Sequence, residues 1–175
     1  ISGLRQSTSE IENKRRLETF ESVLKRQKIT KDRLTYLADN TRDVSLLVVG
    51  DTILDEYVAC DAVGMSAEAP VVVLKELETK QFAGGAAVVA RHVKALGAQC
   101  HFVSVVGNDA AGKEVEDELR REGVTTNLVI DTSRPTTSKT RFMVDTQKLV
   151  RVSRLKEHDI SETIESNILK IIEEK

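Results

Sequence analysis

Short apolar runs that alternate with stretches of helical period limit what this chain can fold into more than any other feature. Val44 to Gly50 reads VSLLVVG, Cys100 to Val106 reads CHFVSVV, and Asn127 to Ile130 reads NLVI. Continuous aliphatic runs of this length suit strands of a parallel sheet covered on both faces. Ahead of the second run, Gly85 to Leu96 has the pattern of a helix closed by Gly97, with Val89, Val93 and Leu96 on the expected core face. Ahead of the third, Asn108 or Asp109 is placed to cap a helix that reaches Glu122 and stops at Gly123. Strand, helix, strand, helix, strand is a right-handed βαβ progression, so an α/β fold is predicted.

Two segments interrupt that rhythm. Tyr57 to Leu74 has no helical period; Gly64 and Pro70 mark turns, and Val71 to Leu74 is strand-like. Lys139 to Val144 and Leu149 to Ser153 flank Asp145-Thr146-Gln147-Lys148 as an antiparallel hairpin. Beyond it, Asp159 and Glu162 have capping-box spacing before a helix carrying Ile164, Ile168 and Ile171. Residues 1–43 hold ten basic and seven acidic residues, a net charge of +3 against −5 for the remainder. There Ser9 and Glu12 have capping-box spacing, and Leu17, Phe20 and Leu24 recur on one face, which predicts a single amphipathic helix acting as an arm or as a linker.

Composition narrows the functional classes. A chain of 175 residues with 40% apolar content can bury one main core. Its net charge of −2 provides no basic field for nucleic acid or an acidic membrane, so neither is an expected partner. Cys60 and Cys100 stand outside any metal-ligand spacing, as do His92, His101 and His158, so no metal site is expected, and the cysteine usage suits a reducing, cytoplasmic location. The first residue is Ile1 and not methionine, and the chain is expected to be a piece of a longer parent.

In an open α/β sheet, ligands gather beyond the carboxyl ends of the strands. Three loops are so placed. Gly50 to Asp55 carries two carboxylates: Asp51, expected to cap a helix, and Asp55, a candidate for gripping vicinal sugar hydroxyls, with a solvated loop charge as the alternative. Gly84-Gly85 opens a helix and lets a ligand approach the backbone, although such a pair is often only a turn. It lacks the third glycine of a dinucleotide fingerprint, and no P-loop follows anywhere. Gly107 to Gly112 is explained by capping through Asp109.

GDTILDEY, MSAEAPVVVLKE, FAGGAAVVARHVKALGA, VSVVGNDAAG and TTSKTRFMVDTQKLVRVSR occur in the order found in the ribokinase-like (PfkB-type) carbohydrate kinases, and over roughly Val44 to Ile160 the chain resembles that family. Within it, the chain is most similar to heptose-phosphate kinases, the kinase half of a bifunctional kinase/adenylyltransferase. The resemblance implies a three-layer αβα fold with a small β lid, here incomplete: residues 44–175 as the amino-terminal part of the kinase domain, lid strands at about 57–76, and residues 1–43 as a helical extension or linker. It implies transfer of the ATP γ-phosphoryl to a sugar or sugar-phosphate hydroxyl with Mg²⁺ on the phosphates. It also implies that Asp55 binds sugar hydroxyls and that Gly84 and Gly85 face the sugar.

Lys139, Arg141 and Arg151 lie where heptose-phosphate kinases approach their substrate, as receivers of a phosphate or simply as surface strand charges. Val88 stands where the family usually has asparagine, which leaves a non-catalytic ligand- or partner-binding module as the alternative function. The family's Gly-Ala-Gly-Asp motif, with its general base, does not occur here, so this chain is expected to supply the sugar-binding half and to be inactive alone. A homodimer through the lid or the amino-terminal helix, and the remainder of a longer parent, are the other partners the reading implies.

Overall fold

The structure is a computed structural model that describes residues 2–175, with side chains from residue 13 onward. It divides into two compact units, residues 1–42 and 43–175.

The first unit holds two helices where one was expected. Helix α1 spans Ser2–Arg26 and α2 spans Lys31–Asn40, with Lys28 at φ 55° in the turn between them. Thr30 starts α2: its extended backbone aims the hydroxyl oxygen at the Arg33 N–H, 3.1 Å away. Helix is already formed at Ser9, so α1 does not begin there; the Ser9 and Glu12 side chains lie outside those described. Of the expected apolar face, Leu24 is buried while Leu17 and Phe20 are exposed.

The second unit builds two sheets from seven strands. Strands β1 (Ser45–Val49), β4 (Gln99–Val106) and β5 (Thr125–Ile130) form a parallel sheet in the order β1-β4-β5. Strands β2 (Thr52–Met65), β3 (Val72–Gly85), β6 (Ser138–Val144) and β7 (Gln147–Arg154) form a mixed sheet in the order β3-β2-β6-β7, with β2 and β6 parallel. The two strands expected near 57–76 are thus parts of a hairpin that starts at Thr52 and returns at Gly85. Asp145, at φ 52°, turns the shorter hairpin, and Gln147 and Lys148 already belong to β7.

Helices α3 (Ala86–Ala95) and α4 (Ala110–Arg121) bring their small and aliphatic residues onto the sheets, and α5 (Glu162–Glu173) lies against β4 and β5. The core joins Leu54 and Ala83 of the mixed sheet to Ala87, Ala90, Cys100, Phe102, Val115, Leu119 and Val124. Cys60 and Cys100 are free thiols, and burial pushes Cys100 up.

Four local expectations are corrected. Strand β1 is not covered on both faces: among the described residues it is an edge strand paired with β4, and Leu46 and Val49 stay exposed. No helix follows Asp51, because the chain passes directly into β2; Asp51 instead offers its backbone carbonyl to the Ala86 N–H at 2.8 Å. On α3 the packed residues are Ala87 and Ala90 with part of Val93, while Val89 and Leu96 face outward, because close approach to the sheet selects alanine. Ser161, and not Asp159, caps α5, its Oγ accepting from the Ile164 N–H at 3.4 Å.

Asp109 caps α4 as expected and does more. Its Oδ1 accepts from the Gly112 N–H at 2.9 Å and from the Thr136 hydroxyl at 2.7 Å; Oδ2 accepts from the Thr136 N–H at 3.0 Å. Thr136 Oγ1 in turn accepts from the Gly107 N–H at 2.9 Å, tying the β4–α4 turn to the approach to β6. Burial works to raise the Asp109 carboxyl, but the Thr136 hydroxyl and the Gly112 and Thr136 amides outweigh it and hold it below its ordinary value. A carboxyl depressed in the folded state contributes stability that is complete above its unfolded pKa, about 3.9, and lost as pH falls through the lower folded value. Replacing Asp109 with Ala is therefore expected to cost about 2 kcal/mol in urea unfolding at neutral pH. Asp109→Asn should keep much of the cap while losing stability less steeply than the wild type below about pH 4, where the native carboxylate takes up its proton.

Candidate active site

Period-two alternation along β2 sorts its side chains. Thr52, Leu54, Val58 and Cys60 are buried on the core side, so Ile53, Asp55 and Tyr57 project from the other. Register then decides who meets Asp55. Phe82 on β3 and Lys139 on β6 stand opposite it; Tyr57 stands opposite Lys80 and Arg141, and Arg141 opposite Arg151 on β7. Directly opposed residues share a sheet face. Asp55, Lys139, Arg141 and Arg151 therefore occupy one face.

The centre of that face is an ion pair. Arg141 Nη1 lies 2.6 Å from Asp55 Oδ1, and the two side chains are only 15% and 23% exposed. The same nitrogen reaches the Lys139 carbonyl at 3.2 Å, and the guanidinium lies 5.0 Å from the centroid of the Tyr57 ring, which meets Phe82 edge-on at 6.1 Å. The second carboxylate oxygen, Oδ2, rests against Gly84, where an added Cβ would collide with it. An alanine at this position would have to push the carboxylate aside. Gly85 is constrained for a different reason. At φ 62° it turns β3 into α3, and a Cβ there would come within 2.5 Å of the Asp51 carbonyl.

Two positioning groups escaped the sequence reading. Glu118 of α4 accepts from the Ala83 N–H at 2.6 Å through Oε2 and pairs with Arg91 Nη1 at 2.9 Å through Oε1; Arg91 Nε donates to Glu122 at 2.6 Å. The Glu122 hydrogen bond, stronger than the opposing effect of burial, raises the Arg91 pKa above its ordinary value. A carboxylate next to Leu119 and one turn beyond Val115, on the buried stripe of α4, was the available signal. The other group is Arg134, whose Nε donates to Asp131 at 2.7 Å and whose Nη2 donates to the carbonyls of His158 and Asp159 at 2.8 and 2.9 Å. It clasps the segment entering β6 to the segment leaving β7. His158 Nε2 sits 2.9 Å from Ser133 Oγ, and the Ser133 hydroxyl and amide hold the Asp131 carboxyl below its ordinary value.

Val88 lies on α3 beside a hollow of about 230 Å³ shared with Arg91, His92, Ala95 and Glu122, none of which belongs to the Asp55 face. A hollow of about 420 Å³ lies on the opposite face of the mixed sheet, against the start of α4; there Glu56 already accepts from Gln81 and Thr140. Among the described residues, no group of three or more His, Cys, Asp or Glu side chains could hold a metal ion, and no helix is long and apolar enough to cross a membrane.

Residues 44–173 match the pfkB family of carbohydrate kinases. The chain is 44% identical over 117 residues to D-beta-D-heptose 7-phosphate kinase of Bordetella bronchiseptica, covering 67% of this chain and 37% of that protein. It is 40% identical over 131 residues to the bifunctional protein HldE of Bradyrhizobium, covering 73% of this chain and 27% of the relative. The chain therefore spans well under half the length of these relatives. Its fold is similar to that of ribokinase from Giardia lamblia, with a TM-score of 0.53 at 13% identity over 74% of this chain and 42% of the other. The match over residues 44–173 shows the family, and the ribokinase-like architecture is the fold that goes with it: the chain belongs to the pfkB family of carbohydrate kinases.

Proposed function

We propose that this chain forms the acceptor-binding part of an ATP-dependent kinase acting on a hydroxyl of a heptose phosphate or a related sugar phosphate. The observation that carries the reading is the Asp55 carboxylate held against Gly84 on a face that also presents Lys139, Arg141 and Arg151. A carboxylate accepts from two neighbouring hydroxyls, and the absent side chain at Gly84 lets a ring lie close to the backbone. The cations suit the acceptor's own phosphate, and guanidinium groups bind it through paired N–H donors. The names of the relatives support a heptose phosphate as that acceptor.

In this reading, the chain's residues bind and orient, and they carry no transfer of their own. Mg²⁺, when bound by a kinase, neutralises phosphate charge, and the described side chains do not gather into a cage that fits it. Glu118 and Arg134 hold the two junctions through which the mixed sheet meets the rest of the unit, so they support the site without touching the ligand. Val88, in the position where the family usually has asparagine, favours a second reading: a sugar-binding module without turnover. ATP consumption with heptose 7-phosphate, measured on this chain and on a form spanning the relatives' full kinase length, separates the two, since turnover by the longer form excludes the module.

Asp55→Ala is expected to weaken heptose 7-phosphate binding by about 10–100-fold, the worth of hydrogen bonds to a charged group, while nucleotide affinity of the longer form persists. Unchanged sugar affinity in titration calorimetry would remove Asp55 from the site. Gly84→Ala should displace the Asp55 carboxylate, weakening the sugar comparably and lowering stability by about 1–3 kcal/mol; a variant with native affinity and a native melting curve would contradict that contact.

A further inference from the structure

The Asp55–Arg141 pair bears on which sugars the site accepts, an inference that rests on the acceptor-site reading above. A bidentate grip on vicinal hydroxyls uses both carboxylate oxygens, and Oδ1 already accepts from Arg141 at 2.6 Å, so a hydroxyl arriving there must share that oxygen with the guanidinium or displace it. Only Oδ2, against Gly84, lacks a hydrogen-bond donor among the described residues. Arg141 is in turn poorly placed to lose its partner. Its side chain is 15% exposed, it lies over Tyr57, and Asp55 is its only carboxylate partner among the described residues. Its cross-strand neighbour is another cation, Arg151, and Lys139 shares its face.

We propose that the Asp55–Arg141 pair is a latch opened by the acceptor's own anion: the phosphate of the incoming sugar takes the guanidinium while the sugar's hydroxyls take the released carboxylate. A neutral sugar that displaces Arg141 offers nothing to receive it, leaving a mostly buried cation unpaired among like charges, a costly state. A phosphorylated sugar exchanges one charge-assisted pair for another and adds the hydroxyl contacts. Arg141 is thereby a specificity-determining residue, acting against the unphosphorylated sugar as much as for the phosphorylated one. The exchange forms and breaks no covalent bond.

Titration calorimetry of the 175-residue chain with heptose 7-phosphate, unphosphorylated heptose and inorganic phosphate tests the latch. The wild type should prefer the phosphate ester by at least about tenfold, and Arg141→Gln should bring the two sugars to within about threefold by weakening the ester and tightening the neutral heptose. A second variant approaches from the other partner and does not depend on how Arg141→Gln folds. Asp55→Asn frees Arg141, so inorganic phosphate should bind several-fold tighter than to the wild type, whereas Glu56→Gln, which removes a carboxylate from the opposite face, should leave it unchanged. The latch is overturned, with the acceptor reading intact, if the sugar preference survives Arg141→Gln, if the neutral heptose weakens in that variant, or if Asp55→Asn leaves phosphate affinity unaltered. If the wild type binds neither sugar, or binds inorganic phosphate as tightly as the ester, the acceptor reading fails and the latch fails with it.

Discussion

Three consecutive residues, Ala83-Gly84-Gly85, carry the junction on which the second unit depends. Each does something the others cannot. Ala83 lends its N–H to the buried Glu118 carboxylate, Gly84 leaves the volume that the Asp55 carboxylate fills, and Gly85 takes the positive φ that turns a strand into a helix. The mixed sheet, the core helix α3 and the face carrying the cations meet at this point. A buried carboxylate accepting a backbone N–H is stable only if its charge is also answered, and Arg91 answers it from α3. Strand end, helix start and helix α4 are locked together by a single polar network.

The same logic recurs at the other crossing between sheet and helices. The Thr136 and Asp109 side chains satisfy one another and three backbone amides, while Arg134 spans from Asp131 to the carbonyls ahead of α5. Both crossings are fixed by charge-assisted hydrogen bonds to backbone groups, which specify direction as well as distance, and not by apolar contact alone. A sheet joined in this way can present one face at a defined position while much of its far end, including Val63, Met65 and Val72, stays exposed.

Much of the local structure was legible because its signals are local. The βαβ succession shows in short apolar runs, Asp109 in its place before a helix, and the diglycine in its own two residues. Failures came where two local readings were equally good and either a distant contact or the exact cap geometry chose between them. Asp51 after a strand resembles a helix cap, but pairing with β3 keeps the chain extended. Val89 and Leu96 seemed suited to a core face by hydrophobicity, yet the close approach of α3 admitted Ala87 and Ala90 instead. Asp159 had the spacing of a cap, and Ser161, two residues on, had the geometry.

The amino-acid sequence by itself determined the α/β alternation, the turns, the caps and the presence of a carboxylate and a side-chain-free pair near strand ends, because each depends on residues within a few positions of one another. Tertiary structure decided that Asp55 faces Arg141, 86 residues away, and that Glu118 is spent on the backbone at Ala83, 35 residues away. Period-two alternation states only which residues of one strand share a face. The register between β2 and β6 selects which cation reaches the carboxylate, and a shift of one residue would send Arg141 to the opposite face of the sheet.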